Sequence, residues 1–127
     1  MIEKEDKRLI KNELDLTISI VNTNNKDMLR SCLLSIYDTT KKTSFEVIVA
    51  DNSSTDGSIE MIKEFFPDVI ITSIIPRNGY GFCHNRAYEK SQGRYFLLLN
   101  EDMIILPKAI DTMVKIIKKD KMIGALG

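Results

Sequence analysis

Two adjacent carboxylates, Glu101 and Asp102, follow Asn100 directly behind the apolar run Tyr95-Phe96-Leu97-Leu98-Leu99. Such a run predicts a strand buried on both faces. A buried strand that ends in acid is a costly arrangement unless something cationic sits there. Hard divalent cations such as Mg2+ and Mn2+ prefer carboxylate oxygen and commonly bind through one or two carboxylates plus substrate phosphates. The pattern points to a divalent metal carrying a diphosphate. The plainer alternative is a capping turn ahead of Pro107, with both acids in water.

Other polar clusters invite the same question. Asp51 ends the run Phe45-Glu46-Val47-Ile48-Val49-Ala50 and opens Asp51-Asn52-Ser53-Ser54-Thr55-Asp56-Gly57-Ser58. An ionised carboxylate only accepts hydrogen bonds, so Asp51 can receive them from a base or a ribose. It can equally hold its own loop in an Asx-type turn. Asp56-Gly57 reads as cap chemistry at a strand-to-helix turn. Arg77 and Asn78 precede Gly79-Tyr80-Gly81, where glycine lets backbone approach a phosphate or a base, although a surface turn explains the glycines as well. This loop is not a dinucleotide fingerprint, because His84 stands where the third glycine belongs and the loop follows the third predicted strand. It is not a Walker loop either, since no Gly-Lys-Ser/Thr occurs. His84 is the only histidine and reads as a packed or surface residue. On the same predicted helix Asn85 can aim its amide back at the loop, and Arg86 reads as a solvated charge.

These residues must be positioned by the elements around them. Residues 1–14 are predicted as a charged leader, at most a short frayed helix. Leu16 to Val21 predicts strand one, stopped by the turn formers Asn22-Thr23-Asn24-Asn25. Asp27 is expected to cap a helix running to Tyr37, with Leu29, Leu33, Ile36 and Tyr37 facing the sheet. Phe45 to Ala50 is strand two. Asp56 or Ser58 caps the next helix, which reaches Phe66 and is stopped by Pro67. Val69 to Ile75 is strand three, and Phe82 to Ser91 a third helix closed by Gly93. The opening run is strand four, Pro107 begins a fourth helix to Lys119, and Met122 to Leu126 is expected to start another strand. Regular alternation of strand and helix marks an α/β parallel sheet, whose ligands bind at the carboxyl ends of the strands. The polar, Gly-rich clusters all follow strands, and the helix-to-strand connectors are plainer.

Composition narrows the function classes. The 127 residues suit one domain. Eighteen basic residues balance eighteen acidic ones, which argues against a duplex nucleic-acid binder. Cys32 and Cys83 match no metal or redox spacing and read as reduced thiols. The stretch Met1 to Arg8 is too charged for a signal peptide, and apolar runs such as Val69 to Ile75 fall short of a transmembrane segment. A cytoplasmic protein is expected, with peripheral attachment at the inner face of the membrane left open.

Taken together the motifs resemble family 2 glycosyltransferases, the inverting GT-A type. Ile18-Ser19-Ile20-Val21-Asn22-Thr23-Asn24 resembles the family's first strand and turn. Val47 to Ser58 is close to Val-Asp-Asn-Ala-Ser-Thr-Asp-Gly-Ser. Asn78-Gly79-Tyr80-Gly81-Phe82-Cys83-His84-Asn85 resembles the Asn-x-Gly-Phe-x-x-x-Asn region. Gly93 to Asp102 resembles Gly-Arg-Tyr-x-Leu-Leu-Leu-Asn-Pro-Asp, a variant of the family's Asp-x-Asp motif, in the form similar to rhamnosyltransferase-like members that build bacterial surface polysaccharides. The resemblance covers residues 16–127. It implies a GT-A, Rossmann-like three-layer α/β fold with a mostly parallel central sheet, truncated after the metal-binding motif.

It also implies roles. Asn22, Thr23 and Asn24 line the nucleotide base pocket, Asp51 contacts the base, and Ser53 lies beside the nucleotide. Arg77 and Asn78 flank the base and Asn85 supports the same pocket. Asn100 takes the motif's first position. Asp102 ligates Mg2+ or Mn2+ on the donor diphosphate, with Glu101 as a candidate second ligand. The implied partners are a UDP- or dTDP-linked sugar and a saccharide or lipid-linked acceptor, whose hydroxyl displaces the nucleotide with inversion. Thr23 departs from the usual aromatic, and Asn100 from the usual acid. The resemblance implies that the general base comes from an acceptor-binding half absent here; Asp111 and Asp120 fall on an amphipathic helix of scaffold character. Residues 15–127 would then be the nucleotide-sugar-binding part alone, from a truncated chain or a gene fragment. Two alternatives are a non-catalytic donor-like module acting through protein contacts, and a phosphoacceptor receiver domain. The latter needs an acidic pair after strand one, where this chain has Asn22-Thr23-Asn24. An open sheet edge favours a homo-oligomer.

Overall fold

The computed structural model describes residues 1–3, 14–120, 122–124 and 126. The chain folds as β1 (Ile2–Glu3), β2 (Leu16–Asn22), α1 (Lys26–Thr39), β3 (Phe45–Asp51), α2 (Ser58–Phe65), β4 (Ile70–Ser73), α3 (Tyr80–Lys90), β5 (Tyr95–Asn100) and α4 (Ala109–Lys119). The sheet order is β1-β5-β2-β3-β4. Strands β2 to β5 are mutually parallel, and β1 adds antiparallel to β5 through Ile2 opposite Phe96. The expected α/β parallel sheet is therefore present.

Period-two alternation along the strands divides the core between two faces. Leu16, Ile18 and Ile20 of β2 join Val47 and Val49 of β3 and Leu97 and Leu99 of β5 on one face. There they meet Leu29, Leu33 and Ile36 of α1, Met61 and Ile62 of α2, and Ile110, Val114 and Ile117 of α4. On the opposite face α3 supplies small residues. Cys83 packs with Val21, Ala50 and Ile74, and Ala87 with Ile48 and Phe96.

Several expectations change. Ile2 and Glu3 form a strand instead of a charged leader or frayed helix, and the rest of that predicted leader, residues 4–13, lies outside the described residues. Asp27 is exposed in the first turn of α1 and does not cap it. That task falls to Asp56, whose Oδ2 accepts the Lys26 N–H at 2.9 Å. β5 is not buried on both faces, because Leu98 is 39% exposed; α3 lies over β2 and β3 and leaves that end of β5 open. β4 is shorter than predicted, and α3 starts two residues earlier, at Tyr80. Residues 122–124 form no strand; Leu126 and Met1 exchange two backbone hydrogen bonds, of 2.7 and 3.0 Å.

Gly93 does not close α3 in a left-handed turn. The helix ends at Ser91, in extended backbone, and Gly93 serves close packing. A Cβ there would lie 2.3 Å from the Thr17 nitrogen and 2.4 Å from the Leu16 carbonyl carbon. The approach is fixed by hydrogen bonds: Gly93 N–H donates to Thr17 Oγ1 (2.9 Å), which donates to Glu46 Oε1 (2.7 Å). No helix among the described residues is long and apolar enough to cross a membrane. Because the obstruction is backbone, Gly93→Ala is expected to destabilise the fold by about 3 kcal/mol or more. A urea midpoint unchanged from wild type would contradict this.

Candidate nucleotide and metal site

Parallel pairing sets Asn22 opposite Asp51 and Val21 opposite Asn100, so the polar ends of β2, β3 and β5 reach one rim. Asn22 is fully buried; its Nδ2 donates to Asp51 Oδ1 at 3.1 Å and to Ser54 Oγ at 3.2 Å. Asp51, 1% exposed, also accepts the Ser54 N–H through Oδ2 at 3.0 Å. Asp51 thus holds its own loop through the N–H three residues on, and both carboxylate oxygens are engaged. Asn22 Oδ1 remains buried without a partner, an uncommon state for a polar atom.

The neighbouring loops are tied to this pair. Asn24 N–H donates to Ser54 Oγ (2.9 Å), and Asn24 Oδ1 accepts from Thr55 N–H (2.6 Å). Asn24 and Ser53 hold φ of 49° and 58°, left-handed values that asparagine tolerates well. Ser53 Oγ donates to the Ile74 carbonyl at 2.6 Å. Asn52 and Asn78 exchange two hydrogen bonds, of 3.0 and 2.9 Å, joining the loop after β3 to the one before α3. Asp56 joins α1 to α2, since it accepts from Lys26 N–H and also from Ser58 N–H at 3.1 Å. Burial pushes the Asp56 carboxyl up, but hydrogen bonds from Ser58 and Lys26 outweigh this and hold it below the usual range.

At the end of β5 the three motif residues diverge. Asn100 Oδ1 accepts from the Tyr80 hydroxyl at 2.5 Å. Glu101 turns toward the start of α1, where its Oε1 accepts from Asn25 Nδ2 at 3.1 Å. Asp102 is exposed. Burial first, then the charges of Glu101 and Asp102, pushes the Cys32 thiol up to about 11 and also raises the Tyr80 phenol. Hard carboxylate oxygen on an exposed, negative rim suits Mg2+ or Mn2+. Among the described residues no three His, Cys, Asp or Glu side chains converge. Asp102, with Glu101 nearby, would hold the ion, and phosphate and water oxygens would complete the shell.

The structure thus brings Asn22, Asn24, Asp51, Ser53 and Asn78 into one hydrogen-bonded cluster, with Thr23 half-buried beside it. Arg77 is exposed in the following loop, and Asn85 lies on the exposed side of α3, outside the cluster. A groove of about 780 Å3 between the end of α1 and α4 contains none of these residues. Its Asp111 is engaged with Lys41, Lys42 and Thr43.

Sequence reasoning missed Ser54, Asn25, and a chain of contacts through α3. His84 Nδ1 and Ser19 Oγ lie 2.7 Å apart, both buried. The Tyr80 ring meets the His84 ring edge-on, centroids 4.4 Å apart. The available signal was the four-residue spacing of Tyr80 and His84, which stacks them on one helical face. Burial lowers the His84 pKa to about 4, and its Nε2 has no partner.

The architecture is that of GT-A glycosyltransferases. The crystal structure of S. aureus TarS 1-349 superposes with a TM-score of 0.76 at 20% identity, over 84% of this chain and 33% of that one. The mannosyltransferase PcManGT from Pyrobaculum calidifontis, in complex with GDP-Man and Mn2+, superposes with a TM-score of 0.70 at 23% identity, over 84% and 32%. The chain belongs to glycosyl transferase family 2, whose model matches residues 17–127. The glycosyltransferase YfnE of Bacillus subtilis is 35% identical over 97 residues, or 75% of this chain and 24% of that protein. The poly(ribitol-phosphate) beta-glucosyltransferase of Bacillus spizizenii is 28% identical over 102 residues, 76% of this chain and 16% of that protein. The chain thus spans a quarter or less of the length of these two relatives.

Two outcomes follow from the site's electrostatics. Unfolded His84 takes a proton near pH 6.5, whereas the folded state resists it until about 4. Unfolded chains therefore bind more protons in that window, and stability falls as pH drops from 6.5 toward 4. His84→Gln should flatten that part of the urea-midpoint profile; an identical slope would contradict it. Asp56→Ala should lower stability by about 1–3 kcal/mol through two helix starts at once, measurable by thermal melting.

Proposed function

We propose that residues 15–127 form the nucleotide-sugar-binding part of an inverting glycosyltransferase. The observation that carries this reading is the shared rim: Asp102 stands just beyond the end of β5, with Asn22 and Asp51 at the ends of β2 and β3 and Asn78 tied to the β3 loop through Asn52. The base enters the cluster of Asn22, Thr23, Asn24, Asp51 and Ser53, flanked by Arg77 and Asn78. UDP- or dTDP-linked sugars are the proposed donors. TarS 1-349 in complex with UDP-GlcNAc is among the solved structures with this fold.

Asp102 would hold Mg2+ or Mn2+, with Glu101 as the less direct contributor. When bound, the ion supplies Lewis-acid relief of charge on the departing diphosphate. The chain's own residues bind and orient the donor so that an acceptor hydroxyl attacks the anomeric carbon from the opposite side. No described residue is assigned as the acceptor site or as the general base that would take the acceptor proton. We further propose that the reaction is cytoplasmic and serves synthesis of a bacterial surface polysaccharide, a reading supported by the likeness to the poly(ribitol-phosphate) beta-glucosyltransferase.

Calorimetry of UDP and dTDP with Mn2+ tests the proposal. Binding is expected, and Asp102→Ala should weaken it at least about tenfold, or 1.4 kcal/mol, with little change in melting temperature because the side chain is exposed. No heat with either nucleotide would favour a module acting through protein contacts, and equal affinity in the variant would remove Asp102 from the site. Exposed Leu98, Met103, Ile104 and Leu106 would offer such a module an apolar surface.

A further inference from the structure

We propose that Tyr80 is a positioning residue that turns Asn100 into a hydrogen-bond donor to the diphosphate; this rests on the nucleotide-binding reading above. The Tyr80 hydroxyl donates to Asn100 Oδ1 at 2.5 Å. With that oxygen occupied, the amide is oriented, and its Nδ2 hydrogens are left for another partner. An amide nitrogen is a donor only, and phosphate oxygens are acceptors only, so the two match. Asn100 also lies two residues from Asp102, where the ion would hold the same phosphates. The first position of the motif thus serves the phosphates through N–H and does not supply a second metal ligand.

Tyr80 is itself held from behind. Its ring lies edge-on against His84, and the His84 ring is anchored to Ser19 in the middle of β2 by the 2.7 Å contact. Tyr80 therefore reaches Asn100 from a fixed base although its side is half-exposed to solvent. Phenylalanine would keep the ring contact and lose only the hydroxyl. The Asn100 amide would then be free to rotate, presenting oxygen or nitrogen to the phosphates with little preference.

The test is a double-mutant cycle on affinity for UDP or dTDP with Mn2+, whichever binds wild type more tightly, with melting temperatures measured alongside. Tyr80→Phe and Asn100→Ala are each expected to weaken binding about three- to tenfold, the scale of one hydrogen bond. The double variant should be within about twofold of Asn100→Ala alone, since the hydroxyl has nothing left to orient. Asn100→Asp should lose nucleotide affinity in the absence of metal, because a carboxylate offers the phosphates no donor. Additive losses, or unchanged affinity in Tyr80→Phe, would overturn the role of Tyr80 while leaving nucleotide binding intact. Absence of binding by wild type would overturn both readings together.

Discussion

The register of β2 against its two neighbours is the constraint on which the site depends. β2 pairs with β3 on one side and with β5 on the other, all parallel, and the three strands stop within a residue of one another. A parallel sheet buried by helices fixes its register strongly, because a one-residue slip of β2 would exchange its two faces. Ile18 and Ile20 would turn toward α3, and Thr17 and Ser19 into the larger core. The hydrophobic pattern of the strands thus places Asn22, Asp51 and Asn100 at a common level without any direct bond between all three.

Polar side chains buried or half-buried on the smaller face have a matching role further back along the strands. Thr17, Ser19 and Glu46 are satisfied by Gly93, His84 and Gln92. Each bond also seats α3 or its exit loop on the sheet. Ser19 and His84 place α3 so that its first residue, Tyr80, stands at the rim. Core packing and site geometry are therefore joined through one short helix whose inner residues, Cys83 and Ala87, are small enough to allow close approach.

Much of this was legible in the residues. Short apolar and β-branched stretches located the strands, and the polar clusters at their carboxyl ends located the rim. What stayed hidden depended on contacts distant in sequence. Asp27 looked like a helix cap by position, yet the cap came from Asp56, thirty residues away along the chain from Lys26. Gly93 looked like a helix stop, and its reason was the backbone of β2. Leu98 looked buried because its neighbours are apolar; which strands α3 covers cannot be read from β5 itself. Ser54 was one hydroxyl in a run of turn formers, and only the fold shows that Asn22, Asn24 and Ser54 meet.

The double engagement of Asp56 has a mechanical corollary. One carboxylate grips the first turn of α1 and the first turn of α2, and Thr55 beside it is held by Asn24. The starts of α1 and α2 are thereby geared together, so neither helix end can shift without carrying the other. A disturbance at one of them would be felt at the other as a single event, instead of two independent adjustments.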